Sequence, residues 1–434
     1  MPQFLKSDFS AIDLTDEQQE LFDNLERFNN SVFVTGKAGT GKSLLLQYFR
    51  TFTHKTIVVL APTGVAALNV GGQTIHSLFR LPFSVITPEK MLELRLTTPQ
   101  TKLLRNLDTM IIDEISMVRV DVLEAIDFLL KKARNSELPF GGVQMVLFGD
   151  LYQLPPVVTS SDLHSYFIEK YGGEFCFNAT SWQELNPKII ELSTIFRQTD
   201  RTFVDVLNAV RHGNPKEELL QKLNARADVE HPAEGSIILA TTNSAVTKIN
   251  SIKVAELSGK TFLLHANISG DIEKSAFPTD EILELKHGAQ IMMMKNDPDK
   301  RWVNGSLGII HSISEDVVKV KIDGFVYKVE PEIWNKIAYE YNSAKKKIEE
   351  KIIGTFTQHP LRLAWAITIH KSQGQTYSSV IIDLGWGAFA HGQTYVALSR
   401  CEKLETLYLR RQVRPRDIIV NKSVRAFMGG EKLR

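Results

Sequence analysis

A glycine-rich segment at residues 36–43, GKAGTGKS, is the feature that most constrains how this chain can fold. It follows the β-branched run Ser31–Val34 and leads into a helical pattern over Ser43–Phe49. Glycines allow such a loop to curl, so that backbone N–H groups and the helix N-terminus face phosphate oxygens. A chance match has a probability on the order of one per cent in a chain of this length. The segment therefore predicts that the protein binds and hydrolyses a nucleoside triphosphate.

Individual residues of this loop have roles that follow from their chemistry. Lys42 is expected to reach the β- and γ-phosphates, and the Ser43 hydroxyl is expected to bind magnesium. The residues predicted to contact the nucleotide in this segment are Gly36, Ala38, Gly39, Thr40, Gly41, Lys42 and Ser43.

Two acidic residues, Asp113 and Glu114, come directly after the apolar run Thr109–Ile112. This strand end places both at the carboxyl edge of a sheet, where ligands bind in α/β folds. Asp113 is expected to hold magnesium, and Glu114 is expected to polarise the attacking water. On its own the acidic pair would be interpreted as a solvated loop, but together with the glycine-rich loop a catalytic role is favoured.

A third strand pattern, Gln144–Phe148, is followed by the segment GDLYQLPP. Gln153 in this segment could contact the γ-phosphate and report its loss. It could equally be a turn residue ahead of the two prolines, and spacing alone does not choose between these interpretations.

The composition indicates a globular chain of at least two domains, with 434 residues that are 43% hydrophobic and 23% charged. The N-terminal residues carry acids where a signal peptide needs an apolar stretch, and no apolar run could span a bilayer. We therefore expect a soluble intracellular protein.

The only cysteines, Cys176 and Cys401, are too far apart in sequence to indicate a disulfide framework or a zinc site. The net charge of +1 gives no indication of nucleic-acid binding.

Short β-branched runs alternate with helical patterns along most of the chain, which predicts parallel sheets covered on both faces. The runs are Ser31–Val34, Thr56–Leu60, Thr109–Ile112, Gln144–Phe148, Lys188–Leu192, Ser236–Leu239, Ser378–Leu384 and Thr406–Leu409. Residues 252–360 differ, because short strand patterns there are joined by turns such as Asn304-Gly305 and Asp323-Gly324 without helices between them. We expect a small β-barrel inserted into the second α/β domain, followed by a solvated helix face at Lys345–Lys351.

Seven motifs, in order, carry a resemblance to a known family over almost the whole chain. They are APTGVAA (61–67), GGQTIHS (71–77), IIDEISM (111–117), GDLYQLPPV (149–157), FRQ (196–198), AITIHKSQGQT (366–376) and GQTYVALSR (392–400). In this order they resemble the motor motifs of superfamily 1 helicases, most closely the RecD-like petite-integration-frequency helicases of superfamily 1B. The segment Pro139–Gln144 is similar to that family's own signature.

This resemblance implies an α/β fold of two RecA-like P-loop domains with parallel sheets and ATP between them. The first domain would comprise residues 1–180, with a short wedge element at about 66–82. The second would comprise residues 181–251 and 361–434, with residues 252–360 forming an SH3-like β-barrel insertion.

The resemblance also implies nucleotide contacts outside the loop. Arg197 and Arg400 would act as arginine fingers, because cations on the far wall of a cleft stabilise a transferring phosphoryl group. Gln18 matches a glutamine that contacts adenine, and Gly374 would also contact the nucleotide. Without the resemblance, either arginine would be interpreted as a surface salt bridge, and Gln18 as the third residue of a helix capped by Thr15.

A DNA track is expected beyond the strand ends of both domains, where hydroxyls, amides and backbone N–H groups suit phosphate contacts that ignore sequence. Its predicted residues are Thr63, Gly64, Thr74, His76, Thr242, Asn243, His370, Lys371 and Ser372. The histidines lack partners at metal-binding or catalytic spacing, so polar contacts are favoured for them. Phe79, Phe140 or Trp302 could stack on a base or split a pair, but core packing is about twice as frequent for such residues.

The resulting hypothesis is a DNA helicase that uses ATP and Mg²⁺. The family resemblance, rather than any residue, implies 5′-to-3′ movement on single-stranded DNA and substrates that include forked DNA, RNA–DNA hybrids and G-quadruplexes. It also implies roles in DNA replication, repair, recombination and telomere maintenance. The compact chain favours a cytoplasmic, bacterial or phage-like motor without membrane contact, monomeric or dimeric on DNA.

Other classes of protein share the nucleotide site. A nucleotide-driven switch or remodelling ATPase that grips a protein would leave the polar residues at 63–76 and 370–372 without a purpose. A small-molecule kinase would rarely need two arginine-bearing halves. A helicase–nuclease fusion is disfavoured, because no separate acidic cluster stands out in the sequence.

Overall fold

The computed structural model describes residues 14–158, 160–198, 200–232, 235–314 and 317–430. The expectation that no signal peptide is present depends largely on residues 1–13, which lie outside the described residues. Within the described residues, no helix is both long enough and apolar enough to cross a membrane. Cys176 and Cys401 are free and buried, and burial raises the pKa of both thiols.

A six-stranded parallel sheet forms the centre of the first half. Its strands are β1 (Val32–Gly36), β2 (Ile57–Ala61), β3 (Gln73–Thr74), β4 (Thr109–Ile112), β5 (Gln144–Phe148) and β6 (Lys188–Leu192). Their order across the sheet is β3-β2-β4-β5-β1-β6. Because β4, β5 and β1 are parallel neighbours, the segments that follow them meet at one edge of the sheet.

Helices cover both faces of this sheet, because alternate residues of a buried strand point to opposite sides. On β1, Phe33 packs into one core, whereas Val32 and Val34 pack into the other. The α-helices of this half are Asp16–Arg27, Lys42–Phe52, Gly64–Val70, Ile75–Phe79, Pro88–Glu93, Thr98–Arg105, Val120–Arg134, Ser161–Tyr171 and Thr180–Leu185. Short 3-10 helices lie at Ile115–Met117, Pro139–Gly142 and Cys176–Asn178.

The second half contains a parallel sheet and three antiparallel ones. Its strands are β7 (Ile237–Ala240), β8 (Phe262–His265), β9 (Asn267–Gly270), β10 (Ile282–Leu285), β11 (Gln290–Met293), β12 (Leu307–Ile313), β13 (Val318–Ile322), β14 (Phe325–Val329), β15 (Glu332–Asn342), β16 (Lys347–Gln358), β17 (Leu361–Leu363), β18 (Ala366–Thr368), β19 (Val380–Asp383) and β20 (Leu407–Leu409). The parallel sheet has the order β18-β7-β19-β20. The chain is thus an α/β protein with parallel sheets, as predicted.

Helices of the second half flank this parallel sheet. The α-helices are Arg201–Arg211, Glu217–Asn224, Asn243–Glu256, Gln393–Leu398 and Lys422–Met428. The 3-10 helices are Ala225–Ala227, Lys274–Ala276, Leu404–Thr406 and Pro415–Asp417. The helix Arg201–Arg211 buries Phe203, Val206 and Val210, which lie on one face because they repeat with helical spacing.

The insertion at residues 252–360 consists of antiparallel strands, but a closed barrel is not found in its described part. Its largest sheet has the order β14-β13-β12-β11-β17, and the strands at its two ends do not pair with each other. Two further sheets, β15-β16-β9 and β10-β8, accompany it. The Asp323-Gly324 turn joins β13 to β14 with both residues at positive φ, as a two-residue hairpin requires.

The prediction of a helix face at Lys345–Lys351 is wrong, because this segment forms the end of a β-hairpin turn and the first residues of the strand β16. β15 and β16 pair along their length, from Glu332 opposite Gln358 to Asn342 opposite Lys347. Lys345 Nζ does lie 2.8 Å from Glu349 Oε1, a contact between residues four positions apart that a helix would also make. A hairpin turn brings the same two charges together, so the local charge pattern could not distinguish the two structures.

The position of strand β6 does not match the predicted boundary between the two domains. The prediction places residues 181–251 in the second domain, but Lys188–Leu192 pairs with β1 at the edge of the first sheet. The domain division itself stays a prediction. The predicted wedge at about 66–82 contains β3, which pairs with β2 in that same sheet.

The hairpin β15–β16 packs against the first half of the chain. The Val59 N–H donates to the Tyr339 hydroxyl at 3.2 Å, and the Tyr339 N–H donates to Gln73 Oε1 at 3.3 Å. Arg50 and Glu350 form an ion pair at 2.6 Å. The insertion is therefore docked on the sheet that carries the glycine-rich loop.

Candidate nucleotide and DNA site

The glycine-rich loop joins β1 to the helix Lys42–Phe52 at the carboxyl edge of the first sheet. Gly39 and Gly41 have φ values of 83° and 79°, a left-handed conformation that residues with side chains rarely adopt. Among the described residues, no side chain caps this helix, so the N–H groups of its first turn can face an anion. Ser43 lies exposed in that turn.

Lys42 lies back across this loop. Its Nζ donates to the carbonyl oxygens of Gly36 at 2.6 Å and Lys37 at 3.0 Å, and the Thr40 hydroxyl also donates to Lys37. Burial lowers the pKa of Lys42, and the nearby carboxylates of Asp150 and Glu114 oppose that shift. The ammonium group is therefore held by neutral carbonyls that phosphate oxygens could replace.

Asp113 and Glu114 follow β4 at the same edge. Glu114 adopts a left-handed φ of 51°, and its N–H donates to Asp113 Oδ1 at 2.9 Å. Burial and the adjacent Glu114 raise the pKa of Asp113 to about 7, and burial also raises the pKa of Glu114. Two half-buried carboxylates on adjacent residues suit a divalent cation, which fits the prediction of magnesium.

Arg197, in the segment that follows β6, and Arg400, in the second half, bring positive charge to this edge of the first sheet. A Cβ added to Gly39 would lie 2.5 Å from Arg197 Cβ, so Arg197 rests directly on the loop. Arg197 donates to the Ser399 carbonyl at 3.3 Å, and Arg400 donates to the Gln375 carbonyl at 3.1 Å. Burial and the neighbouring Arg400 lower the pKa of Arg197 to about 9. Within the described ranges neither arginine pairs with a carboxylate, an arrangement that fits a polyanion.

Gln18 lies beside the loop and also caps its own helix. Its Oε1 accepts from the Thr15 N–H at 3.1 Å, so the predicted capping role is present. A Cβ added to Gly41 would lie 2.8 Å from Gln18 Nε2 and 3.3 Å from the ring of Phe196. The amide nitrogen thus stays next to the loop, and contact with adenine stays a prediction.

The three threonines of the predicted DNA track share one structural role, as helix N-caps. Thr63, Thr74 and Thr242 each follow or end a strand, and each hydroxyl oxygen accepts a backbone N–H at 3.2–3.3 Å. Because the hydroxyl oxygen is the acceptor, its hydrogen can still be donated to a phosphate.

The other first-half residues of the track contact protein side chains. A Cβ added to Gly64 would lie 2.7 Å from the Cβ of Ala276, which belongs to the insertion. The His76 ring stacks on Phe83, with centroids 5.0 Å apart. Burial and the nearby Arg119 lower the pKa of His76, so the imidazole is neutral at pH 7.

In the second half, Asn243 and Lys371 line one cavity of about 470 Å³, together with Arg362. His370 is half-buried in the turn after β18, and burial lowers its pKa. Ser372 is buried, and its hydroxyl donates to the Ile369 carbonyl at 2.7 Å. Gly374 is exposed at the end of this turn, with a φ of 79°.

Comparison with known proteins identifies the family. Residues 13–220 match the PIF1-like helicase family. The ATP-dependent DNA helicase Pif1 of Bdellovibrio bacteriovorus is 35% identical over 96% of this chain and 92% of its own length. The chain belongs to the PIF1-like helicase family. The human ATP-dependent DNA helicase PIF1 is 33% identical over 87% of this chain, which spans 58% of that longer protein.

These relatives confirm the predicted family and the predicted enzyme class, an ATP-dependent DNA helicase. Among solved structures, Bacteroides Pif1 in complex with ADP-AlF4 has a TM-score of 0.90 at 38% identity, with 97% of each chain covered. Bacteroides Pif1 bound to single-stranded DNA has a TM-score of 0.70 at 39% identity, again with 97% covered. A structure of two coordinating Pif1 helicases at forked duplex DNA has a TM-score of 0.69 at 39% identity, covering 96% of this chain and 97% of that one. The overall arrangement of this PIF1-like helicase is therefore more similar to the ADP-AlF4 complex than to the two structures with DNA.

Several site residues of this helicase were not predicted from sequence. Arg211 pairs with Asp150 beneath the loop, and the Tyr395 hydroxyl accepts from the Ala38 N–H at 3.0 Å. Gln373 donates to Glu114 Oε2 at 2.9 Å and lies 3.4 Å from Gln153 Oε1. Tyr395 and Gln373 stand inside two of the seven motifs, so the motifs carried a signal for them. Arg211 stands outside every motif, and only the folded chain reveals it.

The three aromatic candidates for base contact lie in the cores. Phe79 and Phe140 are fully buried, and Trp302 is 7% exposed. The exposed aromatic beside the track is instead Phe83, which is 75% exposed and holds His76. A second exposed aromatic residue, Phe196, is 54% exposed and lies beside Gly41 of the glycine-rich loop.

Proposed function

We propose that this chain couples ATP hydrolysis to 5′-to-3′ movement along single-stranded DNA and thereby unwinds duplex DNA. The observation that carries the proposal is Arg197, which follows β6, rests on Gly39 of the loop, donates to the Ser399 carbonyl of the second half and has no carboxylate partner within the described ranges. A triphosphate bound at the loop would be its counter-ion. Nucleotide occupancy would therefore set how the two halves are held together.

The residues present fit Mg²⁺, with Asp113 and Ser43 as its ligands. The fit rests on the chemistry of the donors, because the Asp113 carboxylate follows β4 at the carboxyl edge of the first sheet and Ser43 offers an exposed hydroxyl in the first turn of the helix after the loop. When bound, Mg²⁺ would neutralise charge on the phosphate oxygens. Lys42 would bind the β- and γ-phosphates, Glu114 would polarise water, and Gln153 would contact the γ-phosphate. Arg197 and Arg400 would stabilise charge on the transferring group.

The base of ATP would lie between Gln18 and Phe196. These side chains approach Gly41 with the amide and the ring edge, respectively. A flat aromatic ring and an amide suit a purine, since one stacks and the other hydrogen-bonds to its edge. Gly374 would close the site from the second half.

DNA would run over both halves along two contact sets. The first comprises Thr63, Gly64, Thr74 and His76, and the second comprises Thr242, Asn243, His370, Lys371 and Ser372. Relatives support this, since solved Pif1 structures include one bound to single-stranded DNA and one at forked duplex DNA. Opening and closing of the nucleotide cleft would move these sets alternately. The Ser372 side chain is used inside its own turn, so its backbone is the group available to DNA.

The finer domain assignment is part of the proposal. The predicted division places residues 1–180 in a RecA-like motor domain with a wedge at about 66–82, and residues 181–251 and 361–434 in the second domain. Because β6 pairs with β1, we move the boundary to residue 192, so that the second domain begins at residue 193. Residues 252–360 form an insertion of antiparallel strands. Forked DNA, RNA–DNA hybrids and G-quadruplexes are proposed substrates of a cytoplasmic enzyme, acting as a monomer or as a dimer on DNA. Its proposed roles are replication, repair, recombination and telomere maintenance.

Strand displacement tests this proposal. A duplex with a 5′ single-stranded tail should be opened with ATP and Mg²⁺, whereas one with a 3′ tail should not. Lys42→Ala should open neither. If wild-type protein opens neither duplex and its ATP hydrolysis ignores DNA, the alternative of a switch or remodelling ATPase acting on a protein is favoured.

A further inference from the structure

Gln373 links the proposed DNA-contact segment to the proposed catalytic base. Its Nε2 donates to Glu114 Oε2 at 2.9 Å and lies 3.4 Å from Gln153 Oε1. Glu114 and Gln153 follow strands of the first sheet, whereas Gln373 stands in the turn after β18, next to Ser372. One amide group from the second half therefore touches both first-half side chains that would read the γ-phosphate.

The backbone around Gln373 is a compact turn with hydrogen bonds inside it. The Ser372 N–H donates to the Thr368 carbonyl at 3.1 Å, and the Gln373 N–H donates to the His370 carbonyl at 3.3 Å. These bonds make residues 368–373 one unit. A ligand that displaces His370 or Lys371 would therefore also displace the backbone that carries the Gln373 side chain.

The Gln373 amide is only half satisfied in this position. Its Oε1 is buried and accepts no hydrogen bond from any described residue. Buried amide oxygens are normally paired, and an unpaired one costs free energy. Among the described residues, the Gln373 amide group is therefore held only by its donation to Glu114 and Gln153.

We propose that Gln373 is a positioning residue that restrains Glu114 until DNA binds. Its donation to Oε2 fixes the orientation of the Glu114 carboxylate and takes one of the acceptor sites that the attacking water would use. When DNA engages His370 and Lys371, the turn shifts, Gln373 leaves Glu114, and the carboxylate becomes free to polarise water. This inference rests on the proposed function, because it needs Glu114 as the base and DNA at residues 370–371.

The test is the ratio of ATP hydrolysis with single-stranded DNA to hydrolysis without it. Gln373→Ala should raise the DNA-free rate about fivefold, the effect of losing one hydrogen bond. The rate with DNA should stay near that of wild type, so the ratio falls by the same factor. Gln373→Asn keeps the amide but withdraws it by one methylene group, and it should behave in the same way.

Gln375→Ala is the matched control, since Gln375 lies in the same segment and its side chain accepts from the Tyr377 hydroxyl instead. It should keep the wild-type ratio. If DNA does not stimulate the wild-type enzyme, the proposed function itself fails. Thermal unfolding should first show that both Gln373 variants are folded. If DNA stimulates the wild-type enzyme and both folded variants keep the wild-type ratio of hydrolysis with DNA to hydrolysis without it, the proposed restraint of Glu114 by Gln373 is wrong. An equal loss of both rates would make Gln373 a structural support of Glu114 and would also overturn the proposal.

Discussion

Arg211 and Asp150 form a buried ion pair, with Arg211 Nη2 3.1 Å from Asp150 Oδ1 and side chains that are 2% and 0% exposed. The Arg211 guanidinium also lies over the Tyr152 ring, 4.4 Å from its centroid. Asp150 follows β5 at the nucleotide edge, and Arg211 ends the helix Arg201–Arg211. The pair therefore ties that edge to the second half of the chain.

Asp150→Asn should destabilise the fold strongly, because it leaves the buried Arg211 with only the exposed Glu191 carboxylate, 3.3 Å from Nη1, as a counter-charge. We expect the free energy of unfolding to fall by about 3–5 kcal/mol. Urea unfolding at pH 7 measures the change. The control is Glu218→Gln, which removes an exposed pair with Lys222 and should leave stability nearly unchanged. Similar losses in the two variants would contradict a special role for the buried pair.

The Asp150–Arg211 pair should also make the stability of the fold depend on pH. Burial alone would raise the pKa of Asp150, but Arg211 and Lys42 outweigh it and hold that pKa below its ordinary value. A lowered pKa in the folded state contributes stability above the unfolded-state pKa, and this contribution is lost as the pH falls below about 4. Thermal unfolding should therefore show a steeper acid loss in wild type than in Asp150→Asn. If wild type and Asp150→Asn lose thermal stability in parallel as the pH falls, the Asp150–Arg211 pair is not the source of the acid sensitivity.

Gly39→Ala should abolish ATP binding. Gly39 has a φ of 83°, and an added Cβ would lie 2.5 Å from Arg197 Cβ, so the variant suffers both backbone strain and a clash in the cleft. Gly259→Ala separates the two effects, since Gly259 has a φ of 99° with nothing within 4 Å. It should bind ATP normally. Titration with a fluorescent ATP analogue measures both, and tight binding by Gly39→Ala would refute the loop geometry.

Phe196→Ala should raise the KM for ATP about twofold to tenfold, which corresponds to losing one aromatic stacking contact. The maximal rate should change little, because the ring lies beside Gly41 and is not placed at the γ-phosphate. Phe389→Ala removes a similarly exposed ring elsewhere and should leave KM unchanged. Steady-state hydrolysis over a range of ATP concentrations distinguishes the two. An unchanged KM in Phe196→Ala would remove this residue from the base site.

Glu114→Gln should keep ATP binding and lower the hydrolysis rate at least about a hundredfold, as expected when a general base is removed. The amide keeps the size of the side chain, so Gln373 can still hydrogen-bond to it. Rapid-quench measurement of hydrolysis, beside binding by calorimetry, checks both statements. Turnover close to that of wild type would exclude Glu114 as the base.

Features that depend on neighbouring residues were predictable from the sequence, whereas pairings between distant residues were not. The strand, loop and helix around Gly39 are specified locally, because glycine and β-branched residues favour one backbone path. Arg211 is 61 positions from Asp150, and no local pattern distinguishes it from an exposed arginine. The Lys345–Lys351 charges suit a helix and a hairpin equally, and the aromatic content of β15 was the signal that favoured a strand.

Closure of the insertion is a second feature that the sequence could not predict, because it depends on strands that are distant in the chain. The short strands between Gln290 and Val329 were predicted, since alternation and the Asp323-Gly324 turn are local signals. Closure into a barrel depends on whether β14 and β17, the outer strands, pair with each other, and here they do not. The insertion instead makes specific contacts with the first half through Tyr339.

The N-cap role of Thr63, Thr74 and Thr242 affects how family alignments should be interpreted. Each hydroxyl begins a helix, so selection for stability alone would retain these threonines even in a relative that had lost DNA binding. Their presence in a sequence is therefore weak evidence for a motor. Serine, which also caps, would be the neutral replacement in such relatives, whereas loss of the hydroxyl would be tolerated only where other contacts offset the weaker helix.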